Sequence, residues 1–163
     1  MVDWNQYRFV HGSAEVPSEM VEALICRGQQ IGQIEILGIL APYFSVPELL
    51  TGRQVIHWVD NTSALSAVTK GYSGVPDSAR LVHLFHAWNV GAQTACWFEY
   101  VPTKANPADK PSRVDLSGRA WRVGKGIRSS PRELILPQIE QWSDTQGWAD
   151  EAARICKSTK RGP

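Results

Sequence analysis

The run Val55-Ile56-His57-Trp58-Val59 is followed at once by Asp60-Asn61-Thr62-Ser63 and then by Ala64-Leu65-Ser66-Ala67-Val68, which commits the chain to a strand that turns directly into a helix. β-Branched and aromatic residues suit an extended backbone, while Asp, Asn, Thr and Ser carry oxygens that satisfy the free N–H groups of a helix start. A second β-rich run, Trp97-Phe98-Glu99-Tyr100-Val101, stops at Pro102. Between the two runs lies a helical pattern over Ser78–Asn89, with Asp77 expected as its cap. An N-terminal strand near Gln6–Val10, a helix near Ser18–Arg27 and a helix around Glu35 complete the expected order. Strands alternating with helices indicate an α/β fold.

Asp60 falls at the C-terminal end of its strand, the edge at which open α/β sheets bind ligands. The plainer role for Asp60 or Asn61 is to cap the helix that follows, and neighbouring residues can divide the two tasks. Glu35 lies within an apolar helix pattern in which Ile31, Ile34, Gly38 and Ala41 recur at helical spacing and Leu37 widens the stripe. A carboxylate on or beside such a face is costly unless paired or metal-bound, and the alternative is a rotation to the rim, where it meets water.

A third carboxylate, Asp109, stands in the loop Lys104-Ala105-Asn106-Pro107-Ala108-Asp109-Lys110-Pro111-Ser112-Arg113, after Val101-Pro102. This loop closely resembles the G-K-x-N-x-x-A-D-x-L-S-R segment of gypsy-type and related retroelement ribonuclease H domains. Asn106, Ala108-Asp109 and Ser112-Arg113 match its residues, with one residue fewer between Asn106 and Ala108, whereas Thr103 stands for the family glycine and Pro111 for the leucine. Lys104 and Ala105 occupy the stretch where many cellular members carry a catalytic-loop histidine; retroelement members often lack that histidine too.

The resemblance covers roughly residues 6–114 and implies a ribonuclease H-like mixed sheet with flanking helices. It also implies that Glu35, Asp60 and Asp109 act as catalytic residues holding Mg²⁺ (or Mn²⁺), because such ions take oxygen ligands and clamp both the attacking and leaving oxygens of a phosphodiester. The implied reaction is hydrolysis of the RNA strand of an RNA–DNA hybrid, with Asn61, Lys104, Asn106 and Arg113 contacting nucleic acid. The implied setting is a polyprotein with an upstream reverse transcriptase segment. A catalytically inactive nucleic-acid-binding remnant of the same fold is the alternative.

The family also places an aspartate, usually in a D-A-S or D-G-S setting, on its first strand. Nothing in Met1–Val10 fits that pattern, and Asp3 reads as an exposed charge near a terminus. The expected sheet therefore lacks the first two strands and the chain reads as a fragment. Its Gln6–Val10 and Val55–Val59 strands are expected either to flank an empty slot or to collapse together.

Composition narrows the remaining possibilities. The chain has 163 residues, 43% of them hydrophobic, enough for one domain core, and it contains neither a membrane-length apolar run nor a secretory signal pattern. An intracellular protein, cytoplasmic or nuclear, without a membrane partner is the expectation. Cys26, Cys96 and Cys156 are far apart and read as reduced thiols. His83 and His86 share a helix with core-spaced Leu81, Leu84, Phe85 and Trp88, so packing or exposure is favoured over ligation. The formal net charge is +1, but Lys104, Lys110, Arg113, Arg119, Arg122, Lys125 and Arg128 crowd one stretch with Trp121 among them. Such a stretch suits either phosphate contact or a solvated linker. Residues 1–114 are thus expected to form the ribonuclease H-like part and residues 115–163 a basic linker and tail, with a short helix at Ala149–Cys156.

Overall fold

The computed structural model describes residues 8–26, 28–108, 128–131 and 134–159. It is a mixed α/β structure. In chain order the elements are β1 (Arg8–His11), α1 (Ser18–Ala23), α2 (Ile31–Ser45), α3 (Pro47–Leu50), β2 (Gln54–Val59), α4 (Thr62–Lys70), α5 (Pro76–Ala92), β3 (Ala95–Tyr100), β4 (Arg128–Pro131) and α6 (Thr145–Thr159). Short 3₁₀ turns occupy Thr103–Ala105 and Ile139–Ser143. No helix among the described residues is long and apolar enough to cross a membrane.

The strand-to-helix junction forms as its residues dictate. Asn61 caps α4 by accepting from the Ala64 N–H at 3.0 Å, and Gly71 ends the helix in the left-handed conformation, φ 69°, which glycine adopts without steric cost. Asp77 departs from the expected capping role. Pro76 opens α5, so Asp77 sits inside its first turn, buried, where its carboxylate accepts from the Ile25 N–H at 3.0 Å and ties α5 to the segment after α1. A proline at the first helical position replaces the cap because its missing N–H needs no acceptor.

The strands depart from the single mixed sheet expected. Among the described residues they form two separate two-stranded sheets, β1–β4 and β2–β3, both parallel. The α4–α5 crossover brings the chain back in the direction it left, which makes β2 and β3 parallel. The partner of β1 comes from the far end of the chain, with Arg8 opposite Arg128 and His11 opposite Pro131.

The core lies between the inner face of β2–β3 and helices α2, α4 and α5. Val59, Leu37, Leu40, Tyr43, Val68, Leu81, Phe85 and Trp88 are all buried there. The C-terminal segment joins the same core. Its helix begins at Thr145, ahead of the expected Ala149, because Asp144 accepts from the Gly147 N–H at 2.9 Å as a cap. Trp142 and Ala152 are buried in the core, Trp148 packs edge-on against Phe44, and Gly91 lets α5 approach so closely that a Cβ there would overlap the Ala149 carbonyl. The outer face of β2–β3 is uncovered among the described residues: Ile56, Trp58 and Trp97 are 61%, 62% and 65% exposed.

Candidate functional site

A cleft of about 640 Å³ opens between β1 and β2, floored by α2. Val10 and His11, His57–Asp60, the Asn106–Ala108 turn, and Leu134 and Leu136 all line it. β1 and β2 share no ladder; the cleft lies between them.

Two of the expected ligands reach this cleft. Asp60 arrives on the residue after β2, half-buried, and its carboxylate has no hydrogen-bond partner among the described residues. The division of labour at this junction is clear: Asn61 caps α4, so Asp60 is not spent on the helix. Glu35 arrives from α2 beside Ile34 and Gly38, as its periodicity suggested, but that part of the stripe lines the cleft and not the core. The buried residues of α2 are Gln33, Ile36, Leu37, Ile39, Leu40, Ala41 and Tyr43, while Ile31 and Gly38 are exposed. Ile34, Glu35, Gly38 and Pro42 line the cleft instead. The helix is apolar nearly all round, so spacing alone could not identify its core face, and the costly buried carboxylate is avoided by turning Glu35 to the cleft.

The third expected ligand, Asp109, lies outside the described residues, as do Arg113 and most of the basic stretch. The turn leading to Asp109 is described. Asn106 accepts from the Ala108 N–H at 3.0 Å through its side chain, so its amide shapes the turn that lines the cleft. Lys104 is exposed in the preceding 3₁₀ turn and does not line the cleft. Glu35 and Asp60, which line one cleft from separate elements, are hard oxygen donors of the type that Mg²⁺ or Mn²⁺ takes. No group of three or more His, Cys, Asp or Glu that could hold a metal ion is present among the described residues.

Beneath the cleft runs a polar chain that sequence reasoning did not anticipate. The Tyr43 hydroxyl lies 2.6 Å from His57 Nε2 and 2.9 Å from Cys96 Sγ, and Cys96 donates to Asn89 Oδ1 at 3.2 Å. Burial pushes the His57 pKa down to about 4, so the imidazole is neutral at pH 7. Burial raises the Tyr43 and Cys96 pKa values; at Cys96 the Tyr43 hydrogen bond opposes the rise. The available signal was the period of two in β2, which turns His57 inward with Val55 and Val59. His83 is exposed, and His86 Nε2 lies 2.9 Å from the Val68 carbonyl.

Comparison with protein-family models, with curated proteins and with solved structures found no match to this chain.

Proposed function

We propose that this chain is an incomplete retroelement-type ribonuclease H domain, the complete form of which hydrolyses the RNA strand of RNA–DNA hybrids with a divalent metal ion. The observation that carries the reading is that Glu35 and Asp60, on separate elements, line the same cleft as the turn that leads into Asp109. Glu35, Asp60 and Asp109 would hold Mg²⁺ or Mn²⁺. A divalent ion there supplies positive charge against the phosphodiester.

The described residues contribute in separate ways. The Asn61 cap anchors the backbone next to Asp60, and the Asn106 side chain holds the turn that immediately precedes Asp109 in the sequence. Lys104, exposed beside that turn, is free to meet a phosphate outside the cleft, and Arg113 is assigned the same task on the strength of the motif alone. The uneven charge of the chain suits a polyanionic partner better than its net +1 suggests.

Paramagnetic Mn²⁺ tests the metal site directly. Added to the full chain, it should broaden the amide resonances of Glu35, Asp60 and Ala108 before others, and a Glu35→Gln, Asp60→Asn variant should lose that pattern. Broadening spread evenly over exposed carboxylates, unchanged in the variant, would remove the reading.

A further inference from the structure

Four polar side chains from four elements meet in the core: Tyr43 of α2, His57 of β2, Cys96 of β3 and Asn89 of α5. They link two cavities. His57 lines the cleft, whereas Asn89 and Cys96 line a separate hollow of about 200 Å³ between α5 and β3, together with Phe85 and Phe98. A hydroxyl, a thiol and an imidazole can each give or take a proton, so the order along the chain follows from an end that can do only one.

Asn89 is that end. Its Nδ2 donates to the Phe85 carbonyl at 2.8 Å, and a carbonyl can only accept. Turning the amide round would set two acceptor oxygens against each other, so the atom that faces Cys96 is Oδ1. Asn89 is 7% exposed, and among the described residues no buried side-chain nitrogen or oxygen is without a partner. Cys96, 3.2 Å away, is the donor to Oδ1. The thiol has one hydrogen, and with it directed at Asn89 the sulfur can only accept from the Tyr43 hydroxyl at 2.9 Å. Tyr43 also has one hydrogen. Across the 2.6 Å contact its oxygen therefore accepts, and His57 Nε2 donates. The reverse order would leave Oδ1 of Asn89 facing sulfur with no hydrogen between them, a desolvation that nothing offsets. The imidazole is neutral at pH 7 and carries a single N–H, so Nδ1 is bare.

We propose that the chain is a latch with one proton order, anchored by Asn89 at the hollow and expressed at the cleft as the Nε2–H tautomer of His57. The latch couples the two cavities: a change at the Cys96 thiol becomes a change in which nitrogen of His57 holds the proton. Hydrogen bonds that all run in one direction polarise one another, which strengthens the tie between the four elements. The proposal rests on these buried bonds alone and is independent of nuclease activity and of metal binding at Glu35 and Asp60.

Long-range proton–nitrogen NMR correlation of the imidazoles in the full chain at pH 7 tests it, with the His57 signals assigned by their loss in His57→Gln. The unsubstituted chain should show Nε2 as the protonated nitrogen and Nδ1 as the bare one. Cys96→Ser keeps a donor and an acceptor in the middle of the chain and should preserve that pattern. Cys96→Ala leaves the Tyr43 hydroxyl no sulfur to donate to, so its hydrogen turns to His57 Nε2 and the imidazole proton should move to Nδ1. Asn89→Leu frees the thiol to donate to Tyr43 and should shift the tautomer in the same direction. Amide resonances away from the four residues should match the unsubstituted chain, which separates a reversed proton order from a loosened core. His57 protonated on Nδ1 in the unsubstituted chain overturns the proposal whether or not the variants fold. A tautomer left unchanged by folded Cys96→Ala or folded Asn89→Leu overturns it as well.

Discussion

The Tyr43 hydroxyl meets His57 Nε2 at 2.6 Å within the core, and the two rings stack with centroids 5.4 Å apart. Phe98 stacks on His57 at 5.6 Å, so the imidazole lies between two aromatic rings, with Phe85 edge-on to Tyr43. A charged imidazolium there would lose its water without gaining an anion, which is why its pKa falls to about 4.

This depression sets a direction for acid unfolding. Above the unfolded-state value of 6.5 neither state protonates His57, and its contribution to stability is fully present. As the pH falls from 6.5 towards 4 the unfolded chain takes up a proton that the folded chain refuses, so stability is lost progressively across that window. The loss from this group amounts to about 3 kcal/mol, taking 1.36 kcal/mol per pKa unit. Urea melts between pH 7 and 4 should show it, and His57→Gln should flatten that limb. Parallel curves for the two proteins would assign the acid sensitivity to other groups.

The neighbours Asp60 and Asn61 should separate chemistry from stability. Asn61→Ala removes the cap of α4 and should cost about 1 kcal/mol in denaturant melts, with Mn²⁺ binding retained. Asp60→Asn should change stability by less than about 0.5 kcal/mol and weaken Mn²⁺ binding, because its carboxylate has no partner among the described residues. The reverse pattern would make Asp60 a structural residue.

Two glycines should respond in opposite senses to alanine. Gly91→Ala places a methyl against the Ala149 carbonyl where α5 and α6 meet, and should destabilise by about 1–3 kcal/mol. Gly38→Ala enters open space inside a helix and should stabilise by about 0.5–1 kcal/mol. Thermal melts of the pair decide whether α6 is packed as described.

On the proposed reading, in which Glu35, Asp60 and Asp109 would hold the metal, hydrolysis of an RNA–DNA hybrid by these 163 residues in Mg²⁺ should be slow or absent, because the family's first-strand aspartate is not among them. Joining an upstream D-A-S strand in cis should raise cleavage, and Asp60→Asn in that protein should abolish it. Hybrid binding without cleavage after the strand is joined would favour the non-catalytic remnant. Strong cleavage by the unextended chain, lost on Asp3→Asn, would assign Asp3 as the missing ligand.

Local chemistry determined much of this protein. The β-rich run before Asp60, the Asn61 acceptor and Gly71 define β2, α4 and its end within a few residues, because each signal acts on backbone groups no more than a turn away. The helix around Glu35 was equally legible, but its orientation was not. Apolar residues surround α2, so only contact with α4, α5 and β2 decides that Ile36 and Leu40 turn inward and Glu35 faces the cleft.

Tertiary structure alone decided the rest, because the interactions join residues distant in sequence. The short segment Arg128–Pro131 ends in proline and carries no strand pattern, yet it pairs with β1. Trp142, Ala152 and the Gly91–Ala149 approach draw the C-terminal segment into a core that its own polar composition does not announce. The shared cleft of Glu35 and Asp60 and the contact of Tyr43 with His57 likewise depend on how α2 lies against β2. Burial and contact across that distance are properties of the packed chain, and no local propensity encodes them.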